Sequence, residues 1–195
     1  MRRNSRLIDF IICLAAAGIM RAQKATEPSG PPPEVYTGKI LALSGPLAGH
    51  PTDLAVVIGR TSTAKELEQF ESLQHEYEGQ TKLADALTDA YDVGAYRLGT
   101  DLALAIKMVT VEKSEKGREY FLAGVRIPQG LEMQGKLSPR DYRFVVIKLK
   151  VDEKGKGEGQ YLSSAKIRFK QNHQPEVEDY QTQPASITMV QMVKR

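Results

Sequence analysis

Cysteine and tryptophan are nearly missing from this chain of 195 residues, which has one cysteine and no tryptophan. The single cysteine, Cys13, lies in an N-terminal segment that we expect to be removed on export. The mature chain would then have no thiol, which excludes disulfides, a cysteine nucleophile and a thiolate metal site. The absence of tryptophan removes a common anchor for sugar rings and protein interfaces, although tyrosine remains available.

Long hydrophobic runs are also missing. The apolar segment at residues 10–20 has 11 residues, follows three arginines among the first six residues, and precedes Ala22. This arrangement is typical of a secretory signal peptide and is too short for a membrane span. We expect residues 1–23 to be cleaved, leaving no transmembrane segment in a periplasmic or secreted protein. Retention as an uncleaved anchor is the alternative, and Cys13 does not fit a lipidation site because Ile12 precedes it.

The net positive charge of the chain comes from the predicted signal peptide. The whole chain has 27 basic and 24 acidic residues. Residues 1–23 hold four of the basic residues and one of the acidic ones, so 23 of each remain. A net charge near zero lacks the basic surface that nucleic-acid binding requires. We therefore expect no nucleic-acid partner.

The rest of the chain divides into a tether and one domain. Residues 24–34 (KATEPSGPPPE) are rich in proline and small polar residues, as in an extended linker. Residues 35–195 are long enough for one domain with a sizeable core and short for two.

The clearest pattern in this domain is a hairpin of two half-buried strands. In residues 143–151 the apolar side chains from Val145 to Val151 recur at every second position, opposite Lys148 and Lys150, and the apolar residues of 161–169 alternate with Lys166 and Arg168. The glycine-rich segment 152–159 between them predicts a turn. The residues predicted to face one interior are Val145, Ile147, Leu149, Val151, Tyr161, Ala165, Ile167 and Phe169.

Similar patterns predict the other elements. Further strands are predicted at residues 35–43, 53–60, 93–98, 102–112, 119–127, 176–180 and 185–193. In the strand at 102–112 we expect Leu102, Leu104, Ile106 and Met108 to share one face. A helix starts with a capping box at Thr63 and Glu66 and ends near Gly79, and a shorter one spans residues 82–91.

The order of these elements predicts the fold class. Only the link between the second and third strands is helical, whereas a parallel sheet needs a helix after most strands. We predict an α+β, mainly β fold: an antiparallel sandwich or partly closed barrel of about nine strands, with a helical pair inserted between strands 2 and 3. We expect the helices to cover one end or face of the sheet.

Histidines and carboxylates do not form a strong catalytic or metal pattern. Glu71, His75 and Glu78 would share one edge of the first helix, and His50 precedes Asp53 by three residues. Each set is also typical of a solvated surface. A third histidine, His173, has Glu176 nearby and has the same two interpretations.

Two further motifs fail on spacing. Ser44 follows a strand, but Ala42 and Pro46 stand where a nucleophile elbow needs glycine. The segment 152–159 has lysines at two ligand positions of a calcium loop, and a strand follows where a phosphate loop needs a helix. We therefore predict no catalytic, cofactor-binding or metal-binding residues.

Four segments resemble a family of exported bacterial proteins of unknown function. They are residues 36–40 (YTGKI), Asp92-Val93-Gly94 with Arg97, residues 155–159 (GKGEG), and residues 165–169 (AKIRF) followed by Tyr180 and Pro184. The resemblance covers most of the chain from Tyr36 onward, but members carry a tryptophan after the Asp-Val-Gly segment, where this chain has Ala95. It implies export and a shared domain, and it implies no activity.

These observations favour a non-enzymatic exported domain that binds a protein or small-molecule ligand or has an envelope role. One alternative is a lipocalin-like carrier of an apolar small molecule, which requires an empty apolar interior. A second is an exported hydrolase that uses Ser44 or His50 with Asp53.

Overall fold

The computed structural model describes residues 32–43, 48–127, 142–181 and 183–193. The predicted signal peptide, most of the linker and Ser44 lie outside these residues. So does nearly all of the loop predicted between residues 128 and 142. No helix in the described part of the chain has the length and apolarity needed to cross a membrane.

Ten strands and two helices make up the described residues. The strands are β1 (Glu34–Leu41), β2 (Thr52–Ile58), β3 (Gly94–Leu98), β4 (Leu104–Ile106), β5 (Met108–Ser114), β6 (Gly117–Val125), β7 (Phe144–Val151), β8 (Lys156–Phe169), β9 (Pro175–Tyr180) and β10 (Ala185–Met192). The helices are α1 (Ala64–Gln74) and α2 (Gly79–Asp89), between β2 and β3.

All ten strands belong to one antiparallel sheet. Its order is β4-β3-β2-β1-β10-β8-β7-β6-β5, and β9 pairs with β8 beside this path. The predicted α+β, mainly β antiparallel fold, with a helical pair between strands 2 and 3, is therefore confirmed. Ten strands are present where about nine were expected, because the strand predicted at residues 102–112 is broken at Lys107.

Lys107 marks the place where the two edges of the sheet come together. The edges are β4 and β5, which are consecutive in the chain and separated only by this residue. Its backbone N–H donates to the carbonyl of Ala123 in β6 at 2.9 Å, and β4 also contacts β6. The sheet remains open in its hydrogen bonding, but it is curled until its edges are neighbours.

The break at Lys107 also changes which side chains face inward. Ile106 belongs to the interior cluster, whereas Met108 belongs to the outer one and Val109 returns to the interior. The prediction that Ile106 and Met108 share a face is therefore wrong. A one-residue irregularity in a strand moves every later side chain to the opposite face.

The interior of the curled sheet is filled by its own side chains. Nine of the ten strands contribute to one buried cluster, and β9 does not. Tyrosine rings from strands far apart in the sheet order meet there. The centroids of Tyr36 and Tyr120 are 5.6 Å apart, and those of Tyr96 and Tyr161 are 6.4 Å apart. A lipocalin-like carrier would need an empty cavity in this interior, but the tyrosine rings occupy that space.

A second hydrophobic cluster lies on the outer face of the sheet. Both helices and the second half of β8 pack there against β5, β6 and β7, as expected for helices that cover one face. The larger members are Leu67, Phe70, Leu83, Leu87, Met108, Phe121, Phe144, Val146, Leu162, Ile167 and Phe169. β7 is therefore apolar on both faces at its start, because a layer covers each side.

A bulge in β8 creates this outer layer. Leu162 pairs with Val146, but Ala165 pairs with Phe144, so β8 has one extra residue between them. Tyr161 faces the interior as predicted. The other residues predicted to share its face lie in the outer cluster: Ala165, Ile167 and Phe169. The bulge reverses the alternation and bends the distal half of β8, with β9, toward the helices.

The glycines of the predicted turn have two different roles. Only Gly155, with a φ of +74°, lies in the turn, since β8 begins at Lys156. Gly159 is inside β8, where a Cβ would lie only 2.2 Å from the backbone carbonyl oxygen of Lys148 in β7 and 3.0 Å from Leu149 Cδ2. The missing side chain therefore lets the β8 backbone approach β7 closely.

The first helix begins as predicted and ends earlier. Thr63 and Glu66 form a reciprocal capping box, which confirms the predicted start. Hydrogen bonding from Arg60 is the main cause that lowers the pKa of Glu66 to about 2. The helix ends at Gln74, and Gly79 starts α2 where it was expected to end the first helix.

Glutamine side chains take the place of a neighbouring strand along distal β8. Gln80 Oε1 accepts the Ile167 N–H at 3.1 Å, and Gln80 Nε2 donates to the Ile167 carbonyl at 2.6 Å. Gln74 Oε1 accepts the Phe169 N–H at 2.7 Å. Both helices are thereby attached to an edge that would otherwise have unpaired backbone groups.

We predict that Lys107→Met destabilises the fold. The Lys107 ammonium is 2.8 Å from Asp92 and donates to the carbonyls of Thr88, in the last turn of α2, and Ala90, its C-cap. Methionine keeps the apolar stem and loses these bonds, which corresponds to about 1.5–3 kcal/mol. Urea unfolding measures the change. Lys116→Met, at an exposed turn, is the control, and equal losses in both variants would contradict the prediction.

We also predict that Gln80→Ala lowers the free energy of unfolding by about 1–3 kcal/mol, because both backbone groups of Ile167 lose their partner. The exposed helical residue Gln69 provides a matched control, since Gln69→Ala removes the same side chain away from the sheet. Hydrogen exchange of the Ile167 amide should accelerate in Gln80→Ala alone. An unchanged exchange rate would show that the glutamine does not protect this strand.

Candidate binding groove on the outer face

A groove with a volume of about 580 Å³ lies on the outer face, beside the second hydrophobic cluster. Its floor is formed by outward side chains of β5, β6, β7, β8 and β10. One wall is the connection between β8 and β9, with Lys170, Gln174, Pro175 and Glu176. The groove therefore exists because the distal half of β8 leaves the plane of the sheet at the bulge.

Two rows of side chains cross the floor of the groove. The strand register places in one row Glu112, Glu119, Lys150 and Glu158. The adjacent row holds Thr110, Phe121, Lys148, Gln160 and Ser186. The first row is charged throughout, whereas the second is mainly neutral with one lysine near its centre.

Most charged groups of the groove are already paired. Lys150 Nζ is 2.5 Å from Glu119 Oε1, and this hydrogen bond raises the pKa of the exposed Lys150 ammonium. Glu176 accepts from Arg168 at 2.5 Å and lies 3.3 Å from Lys170. Partial burial raises the pKa of Glu176, but the two cations outweigh this effect and leave it lowered. These contacts hold the wall and one side of the floor.

Lys148 differs from the other lysines of the groove. Its side chain is half-buried, and it forms no hydrogen bond or ion pair with any residue that the structure describes. Its neighbours across the ladder are Phe121 and Gln160, which are both neutral. A cation in this position is available to a ligand.

The wall of the groove is tied to the first helix by a histidine. His173, in the turn between β8 and β9 with a φ of +60°, contacts the carboxylate of Glu71 on α1. Hydrogen bonding to Glu71 is the main cause that raises the pKa of His173, with the charges of Glu71 and Glu68 adding to it. The contact between the His173 imidazole and Glu71 thus connects the wall to the helical layer.

A separate polar cluster closes one end of the interior. Arg118 Nη1 donates to Glu34 Oε1 at 2.5 Å, and the hydroxyl of Tyr120 donates to Glu34 Oε2 at the same distance. The hydroxyl of Tyr36 also donates to Glu34 Oε2, at 3.0 Å. Arg118 lies 5.5 Å from the centroid of the Tyr120 ring. Four side chains from β1 and β6 therefore satisfy one another's hydrogen-bonding groups.

Electrostatics in this cluster favour a fixed protonation state. Burial raises the pKa of Glu34, but hydrogen bonds from Tyr120, Arg118 and Tyr36 together lower it overall. Burial and the bond to Glu34 raise the pKa of Tyr120 strongly. The carboxylate stays charged and the phenol stays neutral, as expected of a structural plug whose bonding capacity is used internally.

The structure does not assemble the metal trio considered from the sequence. α1 ends at Gln74, so His75 is its C-cap. Glu78 has a left-handed backbone conformation and is the N-cap of α2. Glu71 binds His173 instead. Within the described residues there is no group of three histidine or carboxylate side chains positioned to hold a metal ion. The prediction that the trio shares one helix edge is therefore wrong, because the helix is too short.

The other sequence candidates are also separated. Asp53 forms an ion pair with Lys39 at 2.6 Å on the outer face, and His50 is exposed in the preceding turn. Glu176 binds Arg168 while His173 binds Glu71. Ser44 lies outside the described residues.

The hairpin turn is closed by its own carboxylate. Asp152 Oδ1 accepts the N–H groups of Lys154 and Lys156, each at 2.8 Å. This is the usual role of an aspartate at the start of a turn.

The sequence patterns did not lead to a prediction of the groove, although the outward residues of β7 contain an indication of it. Outward positions of β7 run from the apolar Phe144 and Val146 to Lys148 and Lys150. This change marks where the covering layer stops. Ser186 and Gln174 also line the groove, but they are distant from β7 in the sequence, and no local sequence pattern indicates that they do so.

In comparisons with known proteins, no family model, no curated protein and no solved structure matches this chain.

We predict that Glu71→Gln lowers the pKa of His173 toward its ordinary value of 6.5. Because the folded-state pKa is raised, the contact stabilises the fold fully below pH 6.5, and this contribution is lost as the pH rises through the folded-state pKa. NMR titration of the imidazole measures the shift. Glu68→Gln, which removes a weaker electrostatic effect with no hydrogen bond, should lower the pKa of His173 less. Equal effects of the two substitutions would contradict the observed contact.

Proposed function

We propose that this protein is an exported, non-enzymatic binding domain that holds its ligand in the outer-face groove. The observation that carries the proposal is the half-buried Lys148, which lacks a partner among the described residues in a groove whose other lysines are paired. A volume of about 580 Å³ is within the range of small-molecule and short-peptide sites.

Rigidity supports the assignment of the groove as a preformed site. Its floor is a ladder of five strands, and its wall is held by Arg168, Glu176 and the His173–Glu71 contact. Preformed walls reduce the entropy lost when a ligand binds. By contrast, the interior is packed with tyrosine and aliphatic side chains, so a carrier function has less support.

Export is supported by the N-terminal sequence. Three arginines, an apolar run and small residues precede a proline-rich linker, and the only cysteine of the chain lies within that run. A domain without thiols is compatible with an oxidising compartment. The resemblance to exported bacterial proteins of unknown function agrees with this interpretation.

Native mass spectrometry of the protein, purified gently from the cells or medium in which it is made, tests the proposal. We expect a fixed excess mass that disappears on denaturation. Ser186→Tyr should abolish this mass, because the exposed Ser186 lines the groove and a tyrosine there would obstruct it. The larger side chain replaces no core residue, so thermal stability should stay close to that of the parent.

Val57→Tyr is the matched control. Val57 lies on β2 and is 36% exposed away from the groove, so the same aromatic ring there should leave the excess mass in place. Three outcomes would contradict the proposal: a bare chain mass, a bound mass that Ser186→Tyr does not remove, or a bound mass that both variants remove.

A further inference from the structure

The groove separates its charges in a way that selects among ligands. Among the described residues of the floor, Lys148 is the only charged residue in the row that holds Thr110, Phe121, Gln160 and Ser186. It lies between Phe121 and Gln160. The adjacent row contains three carboxylates, on Glu112, Glu119 and Glu158, and only Lys150 balances them. A ligand therefore meets one available positive charge beside a surface of net negative charge.

This arrangement favours a singly charged anion. An ammonium without a counter-ion in a partly desolvated groove gains a strong charge-assisted hydrogen bond from a carboxylate. A dianionic phosphate would gain the same bond but would be repelled by the neighbouring glutamates. Nucleic acids and polyphosphates are disfavoured for the same reason.

The neutral residues of the same row indicate what adjoins the carboxylate. Gln160 offers an amide with both donor and acceptor groups, and Ser186 and Thr110 offer hydroxyls. Phe121 contributes an apolar ring at the edge of the hydrophobic cluster. Alternating amides and small side chains, as in a peptide, complement this combination.

We propose that the groove binds a short peptide through its free C-terminal carboxylate, which Lys148 receives. The proposal rests on the proposed binding function and specifies the ligand of that same groove. Lys148 is the specificity-determining residue, because neither Lys150 nor Lys170 is free of an acidic partner.

NMR titration of the full-length chain with N-acetyl-dialanine and with its C-terminal carboxamide tests the proposal. The two compounds have the same shape and differ by one negative charge. We expect the acid to shift the resonances of Lys148, Gln160 and Ser186 and to bind about tenfold more tightly than the carboxamide, as one charge-assisted hydrogen bond implies. Lys148→Gln should remove this difference between the acid and the carboxamide.

Lys116→Gln, which removes an exposed lysine from the turn between β5 and β6, should bind both compounds as the parent does. Equal binding of acid and carboxamide in the parent would overturn the carboxylate assignment, and so would tighter binding of inorganic phosphate at Lys148. If neither peptide shifts the groove while a native ligand still occupies it by mass spectrometry, the peptide inference alone fails. If the groove takes neither the probes nor a native ligand, the proposed function fails as well.

Discussion

The architecture depends on Lys107, the single residue at which the chain passes from one edge strand of the sheet, β4, to the other, β5. Because β4 and β5 are separated by this single residue, the sheet must curl until its edges lie side by side. Curling creates an enclosed inner face, which aliphatic side chains and four tyrosines fill. The lysine side chain then attaches this junction to the end of α2 through Ala90 and Asp92. The backbone path and the position of the helices are thus coupled at one point.

The second determinant is the extra residue in β8, which places the distal hairpin on the opposite side of the sheet. Without it, Ile167 and Phe169 would point toward the interior, and the helices would lack the layer on which they pack. The same bend lifts the β8–β9 turn away from the sheet. Both the outer hydrophobic cluster and the groove beside it therefore follow from one irregularity in strand pairing. Function, in this interpretation, depends on a local departure from regular β structure.

Prediction from the sequence succeeded where the pattern is local. The hairpin of β7 and β8, the capping box at Thr63 and the location of the helical pair all follow from residues near one another in the chain. It was wrong for the face of Met108 and for the apolar residues of distal β8. Simple alternation assumes that every strand is regular, whereas each error follows a one-residue shift. The shifts are set by pairing partners that are distant in sequence.

By itself, the sequence determined the class of fold, the polarity of each segment and the pattern expected of an exported chain. These properties depend on composition, periodicity and short-range hydrogen bonding. Only the tertiary structure decided that the sheet curls, that its interior is filled, and that Lys148 shares a groove with Ser186 and Gln174. Those residues come together through strand register, and register depends on the packing of both faces of the sheet at once.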